Sequence, residues 1–263
     1  MKLSGETRLF PIIGDPIAQV RSPEFLTAIL ERKGQNAIVP PMHVAPNNLS
    51  ATMSVLKATQ NVGGIVVTIP HKIPCLDYCD NASDRARFVG SVNIIRKLAD
   101  GSLYGDNVDG IGYLDGIAKE GFTPEGKRAL LIGAGGAGSA VAFEILQRDA
   151  SFLAIHDVDT TRRDSLIARL DEKFPGKVGI GSTNPETFDL IANVTPVGMK
   201  EGDPYPVDVS RLNKSQFVAD AITKPEISPM VNRARELGCK TMVGAGMFNA
   251  EAEILVDFMI DEI

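Results

Sequence analysis

Three segments of this 263-residue chain carry groups able to do chemistry. V-V-T-I-P-H-K at residues 66–72 sets a lysine just after an apolar run, and G-D-N-V-D-G at residues 105–110 sets carboxylates in a turn. G-A-G-G-A-G at residues 133–138 offers almost bare backbone. A lysine and a carboxylate brought together by folding form a proton-transfer dyad. Beside a nicotinamide dinucleotide the chemistry would be alcohol oxidation, with hydride leaving carbon for the ring while the hydroxyl proton passes to a positioned base.

Gly133, Ala134, Gly135, Gly136, Ala137 and Gly138 satisfy G-x-G-x-x-G between an apolar strand at residues 128–132 and a helix at residues 139–147. That context supplies the mechanism. Missing side chains let the backbone approach a pyrophosphate, whose charge meets free amides and the positive end of the following helix. Asp157 closes the next strand about 20 residues on, where a carboxylate accepts hydrogen bonds from ribose hydroxyls and repels a 2'-phosphate. Val158 stands where a phosphate-binding site would want arginine, and Asp159 adds a second negative charge, so NAD is expected over NADP. Arg162 and Arg163 would oppose that preference by swinging toward a phosphate, although their helix also suits them as surface residues. The plain alternative for Asp157 is a helix cap.

These groups need elements to hold them. Residues 8–14 read as a strand ending in Gly14-Asp15-Pro16, and Ser22-Pro23 opens a helix with a cap and a first-turn proline. A second strand, residues 64–69, stops at Pro70; residues 81–88 read as helix, residues 92–96 as strand, and Asp100-Gly101 as a hairpin turn. A helix at residues 111–120 follows the 105–110 turn. Strands at residues 128–132, 152–156, 190–193 and 217–221 then alternate with helices, including a charged one at residues 161–173, as in a parallel doubly wound sheet. After the glycine-rich turn Gly244-Ala245-Gly246, residues 249–263 form an acidic amphipathic helix. The expected fold is α/β with two domains: residues 1–110 plus the terminal segment, about 241–263, binding substrate, and a Rossmann dinucleotide-binding domain at residues 111–240.

Bulk properties narrow the function class. Hydrophobic residues make up 44% of the chain, enough for a real core. Lys plus Arg number 27 against 33 Asp plus Glu, a net charge of -6 without long runs of either sign, which disfavours a nucleic-acid partner. Cys75, Cys79 and Cys239 have neither C-x-x-C spacing nor a histidine cluster beside them, so no metal is expected and a reducing cytoplasm suits them. Cys75 and Cys79, one helical turn apart, read as packing residues and His71 as a structural or surface residue, while His43 and His156 are expected to lack nearby carboxylate or cysteine partners for a metal centre. The first ten residues, with Lys2, Glu6 and Arg8, contain no apolar stretch of signal-peptide length, and no segment reaches the roughly 20 apolar residues of a membrane span. The expected partner is a small-molecule substrate, with no membrane, and the protein is a monomer or homodimer.

Residues 14–23, V-V-T-I-P-H-K, G-S-V-N at residues 90–93, G-D-N-V-D-G, the dinucleotide turn, N-V-T-P-V-G-M at residues 193–199 and G-A-G-M at residues 244–247 follow one another in order. Together they resemble the shikimate/quinate dehydrogenase family over nearly the whole chain. The resemblance implies that Lys72 is the catalytic lysine and Asp109 its partner, both also touching substrate. It further implies that Ser22, Thr68 and Asn93 hydrogen-bond substrate, and that Thr195, Ala221 and Gly244 line the cofactor, NAD. A free lysine, pKa near ~10.4, is protonated at neutral pH; burial beside a cofactor would favour the neutral form and a close Asp109 the charged one. The implied activity interconverts a ring hydroxyl and a ketone of shikimate or a shikimate-like cyclic carboxylate, in aromatic amino acid biosynthesis or quinate metabolism.

The departures from the family pattern bear on substrate. Gln19-Val20-Arg21-Ser22-Pro23 replaces H-S-x-S-P, Val66 replaces the asparagine of N-V-T-V-P, and Val108 the threonine of D-N-T-D-G. A substrate hydroxyl desolvated against an isopropyl group loses roughly 1–3 kcal/mol per group, so poor turnover of shikimate is expected. Thr223 replaces a tyrosine near the nicotinamide, and Glu251 a glutamine that reaches the substrate ring. Ionised glutamate only accepts hydrogen bonds, which favours a substrate bearing an amino group, an aminated shikimate or quinate. Two alternatives stand beside this reading: an NAD-binding sensor with a degenerate pocket, and a dehydrogenase of a less hydroxylated acid.

Overall fold

A computed structural model describes residues 3–18 and 20–260. Gln19 and the last three residues of the expected terminal helix lie outside them. The chain divides into two compact units, Met1–Val108 with Ala252–Ile263, and Asp109–Glu251.

The first unit opens with β1 (Arg8–Leu9), β2 (Ile12–Gly14), α1 (Ser22–Arg32), β3 (Ala37–Ile38), β4 (Pro41–His43) and α2 (Leu49–Ala58). It continues through β5 (Gly64–Val67), β6 (Asn81–Ala82), α3 (Asp84–Val89), β7 (Ile94–Lys97) and β8 (Leu103–Asp106). Six strands form a mixed sheet in the order β4-β2-β5-β7-β8-β6, in which β2 runs parallel to β4 and β5, and β7 antiparallel to β5 and β8. Alternation sorts its faces: Ile13, Ile65, Val67 and Ile95 pack with Met53 and Leu56 of α2 in one buried cluster.

The second unit contains α4 (Asp109–Lys119), β9 (Arg128–Ile132), α5 (Gly136–Gln147), β10 (Phe152–His156), α6 (Thr160–Lys173), β11 (Val178–Ile180), β12 (Leu190–Asn193), β13 (Phe217–Asp220), α7 (Pro229–Glu236), β14 (Lys240–Met242) and the first half of α8 (Gly244–Ile260). Its six strands are all parallel in the order β11-β10-β9-β12-β13-β14, the doubly wound arrangement that reverses direction between β9 and β12. Near-continuous apolar runs such as Ala129–Ile132 fit strands covered on both faces. Leu130, Ile132, Ile191 and Val218 pack on Met230 and Ala234 of α7.

Several element boundaries differ from the sequence expectation. The strand expected at residues 8–14 breaks at Pro11 into β1, paired with β3, and β2, in the six-stranded sheet; proline supplies no ladder N–H. Ser22 is the first helical residue of α1 rather than its cap; Arg21 holds the cap position without a side-chain hydrogen bond. Asn81 and Ala82, expected to be helical, pair in parallel with β8, and Ser83 starts the helix by accepting a hydrogen bond from the Ala86 amide. Both glycine-rich turns are partly helical, with α5 starting at Gly136 and α8 at Gly244, because tertiary packing overrides the weak propensity of glycine. No helix among the described residues is long and apolar enough to cross a membrane.

Candidate active site

The glycine loop leaves β9 at Ile132, and its glycines fall into two classes. Gly133 has φ +107°, a conformation side chains resist, and a β-carbon there would lie 2.8 Å from Thr195 Cγ2. A β-carbon on Gly138 would collide with the Gly133 carbonyl oxygen. These two are required by packing. Gly135, at φ -73°, and Gly136 have nothing within 4 Å of an added β-carbon, so packing does not explain them. They leave open space at the turn where first-turn amides stand outside the helical ladder, room for a ligand to come close. Glycine loop, helix start and carboxylate together fit a dinucleotide.

Asp157, at the end of β10, is buried and already works for this loop. Its Oδ2 accepts from the Ala134 amide at 2.7 Å, its Oδ1 from the Asp159 amide at 2.8 Å, and Arg162 Nη2 lies 3.4 Å from Oδ1. Burial pushes its carboxyl up, but the two amides and Arg162 outweigh that and hold it below the usual carboxylate range. The helix cap is Asp159, whose Oδ1 accepts from the Arg162 amide at 3.0 Å. Arg162 also lies 3.6 Å from Asp159, so both aspartates draw on the arginine nearest them, while Arg163 pairs with Asp164. Val158 is 91% exposed.

Across the switch point, Thr195 follows β12. Its amide and hydroxyl both donate to Asn193 Oδ1, at 3.1 and 2.7 Å. The Asn193 amide nitrogen donates to Asp220 at 3.1 Å, and Ser228 donates to the other oxygen of Asp220 at 2.6 Å. Ala221 follows Asp220, and a β-carbon on Gly244 would lie 2.6 Å from the Ala221 carbonyl oxygen, so Thr195, Ala221 and Gly244 are drawn to the same end of the sheet. Sequence reasoning does not single out Asp220 or Ser228. The available signal is two polar residues, Asn193 and Asp220, closing adjacent apolar strands in register. Thr223 is exposed.

In the first unit, the segment after β5 carries Thr68 and Lys72. The Val67 amide donates to the Asn93 carbonyl at 2.8 Å, the Val92 amide to the Lys72 carbonyl at 2.9 Å, and the Thr68 amide to the Ile13 carbonyl at 3.0 Å. Backbone bonds thus join the segment that carries Thr68 and Lys72 to the one that carries Asn93. The Asn93 side chain accepts from the Val108 amide at 3.0 Å. Val66 and Val108 are 4% and 0% exposed, so their isopropyl groups pack as core. Val20 is half-buried, and Ser22 is half-buried at the start of α1. Ile69 and Ile73, both exposed, flank Lys72.

Asp109 belongs to the second unit, buried in the first turn of α4. Glu251 packs its backbone on the same helix: a β-carbon on Gly112 would lie 3.0 Å from Glu251 Cα. Gly112 is three residues from Asp109, on the same helical face, which brings the half-buried Glu251 to the Asp109 end of α4.

His71 is 1% exposed, its Nε2 2.6 Å from the Val44 carbonyl oxygen, a structural contact. His43, expected to lack a carboxylate neighbour, has one: Asp15 Oδ1 at 2.7 Å. The two meet because β2 and β4 run side by side, a pairing invisible at a separation of 28 residues. Among the described residues no group of three His, Cys, Asp or Glu could hold a metal ion. Cys75, Cys79 and Cys239 are free thiols; burial pushes Cys75 and Cys79 up to about 12.

Comparison with known proteins agrees with this architecture. Residues 12–95 match the shikimate dehydrogenase substrate binding domain. The shikimate dehydrogenase (NADP(+)) of Geobacter metallireducens is 33% identical over 262 residues, covering 96% of this chain and 91% of that protein. The ligand-free 5-ketofructose reductase of Gluconobacter sp. strain CHM43 superposes with a TM-score of 0.89 at 28% identity, covering 97% and 93% of the two chains. Quinate dehydrogenase from Corynebacterium glutamicum, in complex with NAD, gives 0.86 at 25% identity, covering 97% and 94%. With a matching substrate-binding domain and 33% identity to a shikimate dehydrogenase across 96% of its length, the chain belongs to the shikimate/quinate dehydrogenase family.

Proposed function

We propose that this protein is an NAD-preferring oxidoreductase that interconverts a ring hydroxyl and a ketone of a shikimate-like cyclic carboxylate, quinate and amino analogues included. The observation that carries the cofactor preference is the Asp157 carboxylate, buried, held ionised and tied to Ala134 of the glycine loop. A carboxylate has roughly four acceptor directions, so one that serves two amides and Arg162 still accepts from a ribose hydroxyl. A 2'-phosphate would meet Asp157 and Asp159 together. The relative from Geobacter is named for NADP and the quinate dehydrogenase was solved with NAD, so cofactor choice varies among related chains. In this chain the charges favour NAD.

Gly133, Ala134, Gly135, Gly136, Ala137 and Gly138 would hold the pyrophosphate, Asp157 the adenosine ribose, and Thr195, Ala221 and Gly244 the nicotinamide half. The bound dinucleotide supplies the hydride acceptor. Lys72 takes or returns the hydroxyl proton with Asp109 as its partner, while Ser22, Thr68, Asn93 and Glu251 orient the substrate. Glu251 near the start of α4 adds an acceptor to Asp109, which supports a substrate with an amino group.

The second reading, a substrate with fewer ring hydroxyls, is favoured by Val20, a half-buried isopropyl group two residues before Ser22 that offers no hydrogen bond. The related 5-ketofructose reductase widens the panel to a sugar ketone. The test is nicotinamide reduction by purified protein with shikimate, quinate and their amino analogues, and nicotinamide oxidation with 5-ketofructose, each with the NAD and the NADP form. NAD-dependent turnover of one of the cyclic carboxylates is expected. Cofactor binding without turnover of any would replace this reading with that of a sensor, and NADP-dependent turnover would remove the assigned role of Asp157.

A further inference from the structure

The deepest polar cluster of the second unit lies outside the groups assigned above to ligands. Asn193 and Asp220 are 0% and 1% exposed, so neither side chain reaches a ligand surface. Every polar atom of the Asn193 side chain is engaged: Oδ1 accepts from the Thr195 amide and hydroxyl, and Nδ2 donates to Asp220 Oδ1 at 3.1 Å and to the Val197 carbonyl at 3.4 Å. Asp220 accepts in addition from the Ile222 amide at 3.0 Å and from Ser228 at 2.6 Å. Ser228 in turn caps α7.

We propose that Asn193 and Asp220 are a positioning pair that fixes the Thr195 turn against Gly133 and the 221–222 backbone against Gly244, and so sets how the nicotinamide half of the dinucleotide is held. A buried carboxylate facing only neutral donors is expensive to desolvate, and an apolar pair of similar shape would pack these strand ends without it. What an apolar pair could not do is hold three separate backbone segments at once. Asp220 and Asn193 reach Thr195 on one side and Ile222 on the other; Thr195 Cγ2 sits 2.8 Å from where a Gly133 β-carbon would be, and the Ala221 and Ile222 carbonyls crowd Gly244. All the groups assigned to the nicotinamide half thus hang on one network. The adenosine half does not, since Ala134 and Asp157 are tied to each other and to Asp159. In a doubly wound sheet the two halves of the cofactor straddle the switch point, which here separates β9 and β10 from β12 and β13.

That separation provides the test, and the inference rests on the dinucleotide reading given above. Calorimetric titration compares NADH with ADP-ribose, which lacks the nicotinamide, on wild type, Asn193→Ala, Asp220→Ala and Asp220→Asn, with folding checked by circular dichroism. Losing the bridging hydrogen bonds should weaken NADH about tenfold in the alanine variants and leave ADP-ribose within about twofold. Asp220→Asn, which keeps an oxygen for Asn193 and Ile222, should recover most of the NADH affinity. Equal losses for both ligands would mean a purely structural role and overturn the proposal, as would unchanged NADH binding. If an alanine variant fails to fold, Asn193→Ser carries the same comparison, because its hydroxyl cannot bridge Thr195 and Asp220. Failure of wild type to bind either ligand would overturn the dinucleotide reading itself.

Discussion

The groups assigned to ligands are built from different materials in the two units. In the all-parallel sheet of the second unit, the groups assigned to the cofactor are chiefly backbone: glycines that bring carbonyls, amides and Thr195 to close quarters, tied by Asp157 and Asn193. In the first unit, Ser22, Thr68, Lys72 and Asn93, assigned to the substrate, are side chains on segments that leave β2 and β5 or lead into β7, segments joined to one another through backbone bonds. A site made of backbone has little room for substitution where an added carbon meets a carbonyl, as at Gly138 and Gly244. A site made of side chains can change one group at a time, and there this chain departs from the family pattern at Val20.

The largest effect should come from breaking the backbone-built region. Gly138→Ala sets a methyl against the Gly133 carbonyl, and overpacking of this kind typically costs about 1–3 kcal/mol, more where backbone must shift. We expect a lowered Tm and loss of dinucleotide binding together. Gly135→Ala sharpens the comparison, because its added carbon meets open space at an ordinary φ. Its Tm should match wild type while NADH affinity falls by tenfold or more, on the order of 1.4 kcal/mol. A Gly135→Ala protein that binds NADH normally would show that the open face of the loop is not where the pyrophosphate lies.

On the substrate side, Lys72→Ala should leave the fold and NADH affinity intact and lower kcat by about 10²–10⁴, the usual contribution of a positioned acid or base. Retained turnover would remove Lys72 from the mechanism. The contrast with Gly138 is the point: one region fails as a unit, the other loses a single function.

The same contrast explains what was legible in the sequence. Gly133, Gly135, Gly138 and Asp157 stand out as candidates through their spacing along one β-α-β run, and the alternating strands of the second unit follow from apolar runs of fixed length. Pairings between distant segments were not legible: Asp15 with His43, Asn193 with Asp220, and the split of residues 8–14 between two sheets all depend on which strands become neighbours. Val66 and Val108 looked like altered ligand contacts, whereas their burial makes them core, and only a solid structure distinguishes an isopropyl group that faces a ligand from one that faces a neighbouring strand. Asp159, weighed as an added charge, turned out also to be the cap of α6.

Asp157 joins the two kinds of construction, a side chain that braces a backbone loop and is assigned to the cofactor, and its substitution should have the smallest and most selective effect. Asp157→Ala removes the acceptor for Ala134 and the negative charge beside Arg162, so NADP should gain relative to NAD by about tenfold in kcat/KM, a change of roughly 1.4 kcal/mol. An unchanged ratio would leave the carboxylate as a loop brace only. The brace itself has a pH signature. Because the folded carboxyl lies below its usual range, its stabilising contribution is complete above the unfolded value of about 3.9 and is lost as pH falls through the lower folded value. The stability difference between wild type and Asp157→Asn should therefore stay constant from neutral pH down to about 4 and shrink only below it. A difference that already shrinks between pH 7 and 5 would mean that Ala134 and Asp159 do not hold this carboxylate ionised, and the cofactor preference would then have to come from Asp159 alone.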